Sequence, residues 1–174
     1  MKIDKLFSVE GKVVLVTGGS RGIGKMIARG FVENGARTYI TARNADACAA
    51  TAGELARSGT CIALPSDLSS MNGVATLAAA IAGREPALHV LVNNAGATWS
   101  APIDKFPESG WDKVMGLNVK SPFFLTQALL PQLRAAASHA DPARVINIGS
   151  VDGLGVPRHE SLGTPSSSSA ARVA

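Results

Sequence analysis

Residues Lys12–Gly24 read KVVLVTGGSRGIG. Lys12–Thr17 is an apolar, β-branched run of the length expected for a strand buried on both faces. Glycines at 18, 22 and 24 follow at once. Ile23, Ile27, Gly30 and Phe31 then recur at helical spacing, and Gly35 suits the position just past a helix end. A strand, a glycine turn and a helix in this order bring free N–H groups and the positive end of the helix dipole to the turn. A pyrophosphate fits such a site. The same glycines would also serve a bare strand-to-helix turn. Their place after the first strand of a strand–helix–strand unit favours the anion site. The spacing is G-x-x-x-G-x-G, not the general G-x-G-x-x-G of dinucleotide turns.

The alternation continues outward. RTYIT (Arg37–Thr41) reads as a second strand. Asn44 can cap the helix after it, with Cys48, Thr51 and Leu55 on one face and Gly59 at its end. TCIALP (Thr60–Pro65) is a third strand. Val74, Leu77, Ala78 and Ile81 mark a third helix, and LHVLVN (Leu88–Asn93) a fourth strand. Glu108–Ala137 reads as one long helical segment, bent or interrupted at Pro122 and Pro131. RVINIG (Arg144–Gly149) is a fifth strand. Strands alternating with helices imply an α/β fold, a parallel sheet wrapped on both faces.

The 174 residues make about one domain, and 46% of them are apolar against 17% charged. That composition is globular. Lys and Arg exceed Asp and Glu by 17 to 13, and the excess is scattered, so no nucleic-acid footprint is expected. Cys48 and Cys61 stand in no metal-ligand spacing, and no metal is expected. The N-terminus MKIDKLFSVEGK lacks the apolar core of a signal peptide, and no run is long enough to span a membrane. A cytoplasmic setting is expected.

The end of the second strand bears on the ribose. A carboxylate there would bind a 2′-hydroxyl. TARN instead puts Ala42 and Arg43 in that place, and an arginine suits a 2′-phosphate. Arg21, inside the glycine turn, can add a second positive group. Either arginine would also be unremarkable as a solvated surface residue.

TGGSRGIG, SDL (Ser66–Leu68), NNAG (Asn93–Gly96), LNV (Leu117–Val119) and INIGS (Ile146–Ser150) come in order and together. In these motifs, from about Val9 to Gly153, the chain resembles the short-chain dehydrogenase/reductase family. SGWDKVMGLNV and PARVINIGSVDG resemble its NADPH-dependent 3-oxoacyl-(acyl-carrier-protein) reductases, nearest the rhamnolipid-synthesis branch. The resemblance implies a Rossmann-like doubly wound sheet of order 3-2-1-4-5, with NADP(H) as cofactor. It implies hydride transfer to a 3-oxoacyl thioester or related ketone. Gly18, Ser20, Arg21, Gly22, Ile23, Gly24 and Arg43 would hold the cofactor from one side. Asp67 would accept from the adenine amine beside Leu68, and Asn93, Asn94, Ala95 and Gly96 would line the cofactor behind the fourth strand. Asn118 would anchor a water in a proton relay, and Ser150 would hold the substrate carbonyl. In this family the Glu108–Ala137 helix commonly makes a subunit interface, so a homo-oligomer is expected.

The family pattern continues with Tyr-x-x-x-Lys beyond the serine. Here the one tyrosine is Tyr39 and no lysine follows Lys120. Aligning ESLGTPSSSSAA with that pattern puts Thr164 and Ser168, or Pro165 and Ser169, in the two places. The expectation is therefore a domain over residues 1–155 that lacks the family's later strands, a poorly ordered tail over 156–174, and no turnover by this polypeptide. A dinucleotide-binding pseudoenzyme, or a subunit that dimerises, remains the alternative.

Overall fold

The computed structural model describes residues 7–150. The expected tail lies outside them, as does the boundary at 155. Five parallel strands form one sheet in the order β3-β2-β1-β4-β5. They are β1 (Val13–Thr17), β2 (Arg37–Thr41), β3 (Thr60–Ala63), β4 (Val90–Asn93) and β5 (Arg144–Asn147). The helices are α1 (Gly22–Glu33), α2 (Ala45–Leu55), α3 (Met71–Ala82), α4 (Glu108–Met115), α5 (Ser121–Ala128) and α6 (Leu130–Ala136). The chain runs β1 to β3 in one direction, then jumps back so that β4 pairs with β1. This is the Rossmann-like doubly wound arrangement the sequence implies.

Each face of the sheet has its own core. Val14, Val16 and Ile40 meet Ala28 and Val32 of α1 and Cys48, Ala52 and Leu55 of α2. Leu15, Tyr39 and Leu91 meet Val74, Leu77 and Ile81 of α3 and Leu125 of α5. Period-two alternation along β1 feeds both cores, which is why that strand reads as uninterrupted apolar sequence. Burial pushes both thiols up, Cys61 to about 11.

Two helical readings need correction. Of the stripe Ile23, Ile27, Gly30 and Phe31, only Ile27 and Phe31 pack against the core, and both are partly buried. Gly24, Ala28 and Val32 are buried, and Ile23 is 57% exposed. Gly24 and Ala28 let the first half of the helix sit close to the sheet, and the apolar Val32 completes the buried face. The second helix ends at Leu55 rather than near Gly59. Gly59 lies in the turn to β3, where an added Cβ would come 2.6 Å from the Val32 carbonyl oxygen.

The long helical segment divides as its prolines suggest. A wide π-type turn, Gly116–Lys120, precedes Pro122, and Leu129 separates α5 from α6, which has Pro131 in its first turn. Pro122 has no N–H to give the preceding turn, and its ring crowds the carbonyl four residues back.

Candidate functional site

Where β1 and β4 diverge, a cleft of about 950 Å³ opens at the C-terminal ends of the strands. This is the switch point of the sheet, where open α/β folds place ligands. Gly18, Ser20, Arg21, Gly22, Ile23 and Gly24 form one wall. Gly18 and Gly22 have φ of +65° and +54°, a left-handed backbone that favours glycine. An added Cβ on Gly24 would run into the Gly18 carbonyl and the Asn94 side chain. Glycine here lets α1 begin directly against the turn.

The start of α1 is unusual among its neighbours. Asn44 caps α2 by accepting from the Ala47 N–H at 2.8 Å, and Ser70 caps α3 by accepting from the Gly73 N–H at 3.0 Å. Arg21 precedes α1 with no side-chain cap, and no acidic residue lies in the first turn. Its first N–H groups therefore face the cleft with neither a capping side chain nor a competing negative charge.

Thr17 ties the glycine turn to β4. Its Oγ1 donates to the Val92 carbonyl and accepts from the N–H groups of Asn94 and Ala95, both at 2.9 Å. Asn94 Nδ2 donates back to the carbonyls of Thr17 and Gly18. Asn94, Ala95 and Gly96 consequently line the cleft. Asn93 does not: its Nδ2 donates to Asn147 Oδ1 at 2.9 Å and braces β4 against β5.

Toward the sheet edge the cleft is lined by Thr41, Ala42, Arg43, Asn44, Ser66 and Leu68. Thr41 Oγ1 is buried and has no partner among the described residues. Asp67 stands beside the cleft. Its Oδ1 accepts from Ser69 N–H at 3.0 Å and Ser69 Oγ at 2.8 Å. These bonds, aided by the Arg43 charge, hold its carboxyl below the usual range. Asn118, in the π-type turn, is pinned to the segment after β4. Its Oδ1 accepts from Ala97 N–H at 2.8 Å and its Nδ2 donates to the Ala97 carbonyl at 3.0 Å. Ser150 is the last described residue.

The structure thus gathers eleven of the residues expected at a cofactor site around one cleft: Gly18, Ser20, Arg21, Gly22, Ile23, Gly24, Arg43, Leu68, Asn94, Ala95 and Gly96. Asn93, Asp67 and Asn118 stand behind or beside it. The reading of the sequence missed Thr17, whose signal was a lone hydroxyl ending an otherwise apolar strand. It also missed Thr51, whose Oγ1 donates to the Ser20 carbonyl at 2.9 Å and ties α2 to the turn. Among the described residues no cluster of His, Cys, Asp and Glu could hold a metal ion.

Residues 12–164 match the family model for short chain dehydrogenases. The chain is 56% identical over 148 residues to the rhamnolipids biosynthesis 3-oxoacyl-(acyl-carrier-protein) reductase of Pseudomonas aeruginosa, covering 85% of this chain and 58% of that protein. It is 35% identical over 150 residues to the gluconate 5-dehydrogenase of Gluconobacter oxydans, covering 84% and 56%. Among solved structures, the Pseudomonas aeruginosa RhlG/NADP active-site complex superposes with a TM-score of 0.88 at 50% identity, covering 97% of this chain and 65% of that one. The chain spans less than two thirds of the length of each of these relatives.

Proposed function

We propose, from the premise that the chain belongs to the short-chain dehydrogenase/reductase family, that its cleft binds NADP(H) for reduction of a 3-oxoacyl thioester or related ketone. The observation that carries the reading is the uncapped start of α1, set in a glycine turn, with Arg21 and Arg43 flanking the same cleft. The N–H groups of α1 suit a pyrophosphate, and Arg43 suits a 2′-phosphate. Leu68 offers an apolar surface for the adenine, and the free Asp67 Oδ2 can accept from its amine. The NADP complex of the 50% identical relative supports the cofactor, and the 56% identical reductase supports the substrate class.

Bound in this way, the cofactor supplies the hydride. Ser150 would orient the substrate carbonyl by donating a hydrogen bond. Asn118 holds Ala97, and each of its polar atoms keeps capacity for a further bond, such as one to a relay water. Tyr39, the one tyrosine among the described residues, is buried in β2 against α3 and does not line the cleft. A second reading, a subunit interface along α4–α6, is supported by Phe123, 64% exposed, and Trp111, 45% exposed.

Titrating the protein with NADPH and with NADH, followed by nicotinamide fluorescence, tests the proposal. NADPH should bind more tightly. Arg43→Ala should weaken NADPH by about 1.5–3 kcal/mol, as for a charge-assisted contact, and leave NADH nearly unchanged. Equal weakening of both, or no binding of either, would overturn it.

A further inference from the structure

The segment after β4 has a further anchor, at Trp99, beyond those that the glycine turn and the LNV motif supply. Asn94 and Ala95 hang from Thr17, and Ala97 hangs from Asn118. Trp99, two residues further, packs on α4. An added Cβ on the buried Gly110 would come within 2.7–2.8 Å of Cδ1, Cγ and Nε1 of the Trp99 indole. Three ring atoms at nearly equal distance mean that the five-membered ring presents its face to the helix. No residue larger than glycine leaves that space. One turn on, Lys113 sets its Nζ 5.2 Å from the ring centroid, within the range of a cation–π contact.

We propose that Gly110 and Lys113 form a seat for Trp99, and that the seated indole positions the cleft floor, Asn94–Ala97, for its ligand. Trp99 is a positioning residue in this scheme, acting through the backbone of residues 94–97. A rigid indole on a bare helix backbone anchors a loop at little cost in side-chain freedom. Without it, Ala97 would be held by the Asn118 side chain alone. The inference takes the ligand to be a dinucleotide, as proposed above, but the anchoring itself can be tested without one.

The experiment combines amide hydrogen exchange with cofactor titration, in a Trp111→Phe background so that emission reports on Trp99. Gly110→Ala should shift Trp99 emission to the red. It should speed exchange over residues 94–99 roughly tenfold, in line with overpacking acting on a local opening, and leave β1–β3 unchanged. NADPH and NADH should both weaken several-fold, unlike the NADPH-selective effect of Arg43→Ala. Lys113→Gln should act in the same direction and more weakly. Adding Trp99→Phe to Gly110→Ala should restore slow exchange by relieving the overlap. Unchanged exchange over 94–99, a uniform rise along the whole chain, or no recovery in the double variant would each overturn the proposal. If the parent protein binds neither cofactor, the dinucleotide reading fails, and the exchange result alone still decides the seat.

Discussion

Thr17 concentrates more of the site's geometry than any arginine in it. One hydroxyl joins β1 to β4 by one donated and two accepted bonds. Thr17→Val keeps the shape and leaves two backbone N–H groups without partners, at about 1–3 kcal/mol for each buried group left unsatisfied. Chemical denaturation should show that loss, with Thr17→Ser close to the parent protein; a neutral Thr17→Val would refute the role. Tyr39 makes a second prediction. Its hydroxyl donates to Glu85 Oε1 at 2.5 Å, and burial first, then the Glu85 bond and charge, push its pKa up to about 12. The folded value lies above the ordinary value near 10. Between about pH 10 and 12 the unfolded chain has lost this proton and the folded chain keeps it, so stability falls as pH rises, by at most about 1.4 kcal/mol per pH unit. Tyr39→Phe should flatten the alkaline limb of the stability curve by that slope. An unchanged limb would mean that the phenol does not titrate differently on folding.

Of the three helices whose N-termini follow β1, β2 and β3, α1 alone has no side-chain cap. Helices α2 and α3 satisfy their first turns internally, and α1 turns its own toward the cleft. Its glycines at 24 and 30 should respond oppositely to alanine. At Gly24 the new Cβ meets backbone and the Asn94 amide, so Gly24→Ala should cost about 1–3 kcal/mol and abolish cofactor binding. At the exposed Gly30 nothing lies within 4 Å, so Gly30→Ala should stabilise by about 0.4–1 kcal/mol. Thermal melts of the two variants check both signs, and matching shifts would show that helix propensity alone governs α1.

For the whole molecule, the reversal of strand order between β3 and β4 opens the cleft. Lys12 and Asp141 help hold the far side of the sheet together: their 2.5 Å ion pair joins the start of β1 to the approach to β5. That pair and Arg144 keep the Asp141 carboxyl near 2, so their support is present at neutral pH and fades as pH falls through that value. β5 is the outermost strand among the described residues. It shows Val145 and Ile146 at 41% and 39% exposure, and Ile148 just past its end is 39% exposed. Exposed apolar edge strands pair with other chains. Self-association in sedimentation experiments should therefore drop for Val145→Lys while the melting temperature changes little. Association equal to that of the parent would place the contact elsewhere, with Phe123 and Trp111 on α4–α5 as the next surface to test. No helix among the described residues is long and apolar enough to cross a membrane.

The sequence by itself determined the five strands, their alternation with helices and the glycine turn, because these depend on local periodicity and on backbone freedom at particular glycines; the strand order came only with the family resemblance. The caps at Asn44 and Ser70 span three residues and are equally local, although only Asn44 was legible as one. Tertiary structure alone decided where α1 comes closest to the sheet, at Gly24 and Ala28, and left Ile23 outside the core. It alone turned Asn93 toward Asn147, 54 residues away, while the adjacent Asn94 bonds to the glycine turn. It alone set Trp99 on Gly110, a contact between a loop and a helix that no periodicity encodes. Such pairings depend on how separate elements dock, and the motif NNAG carries no sign of which of its two asparagines will face the cleft.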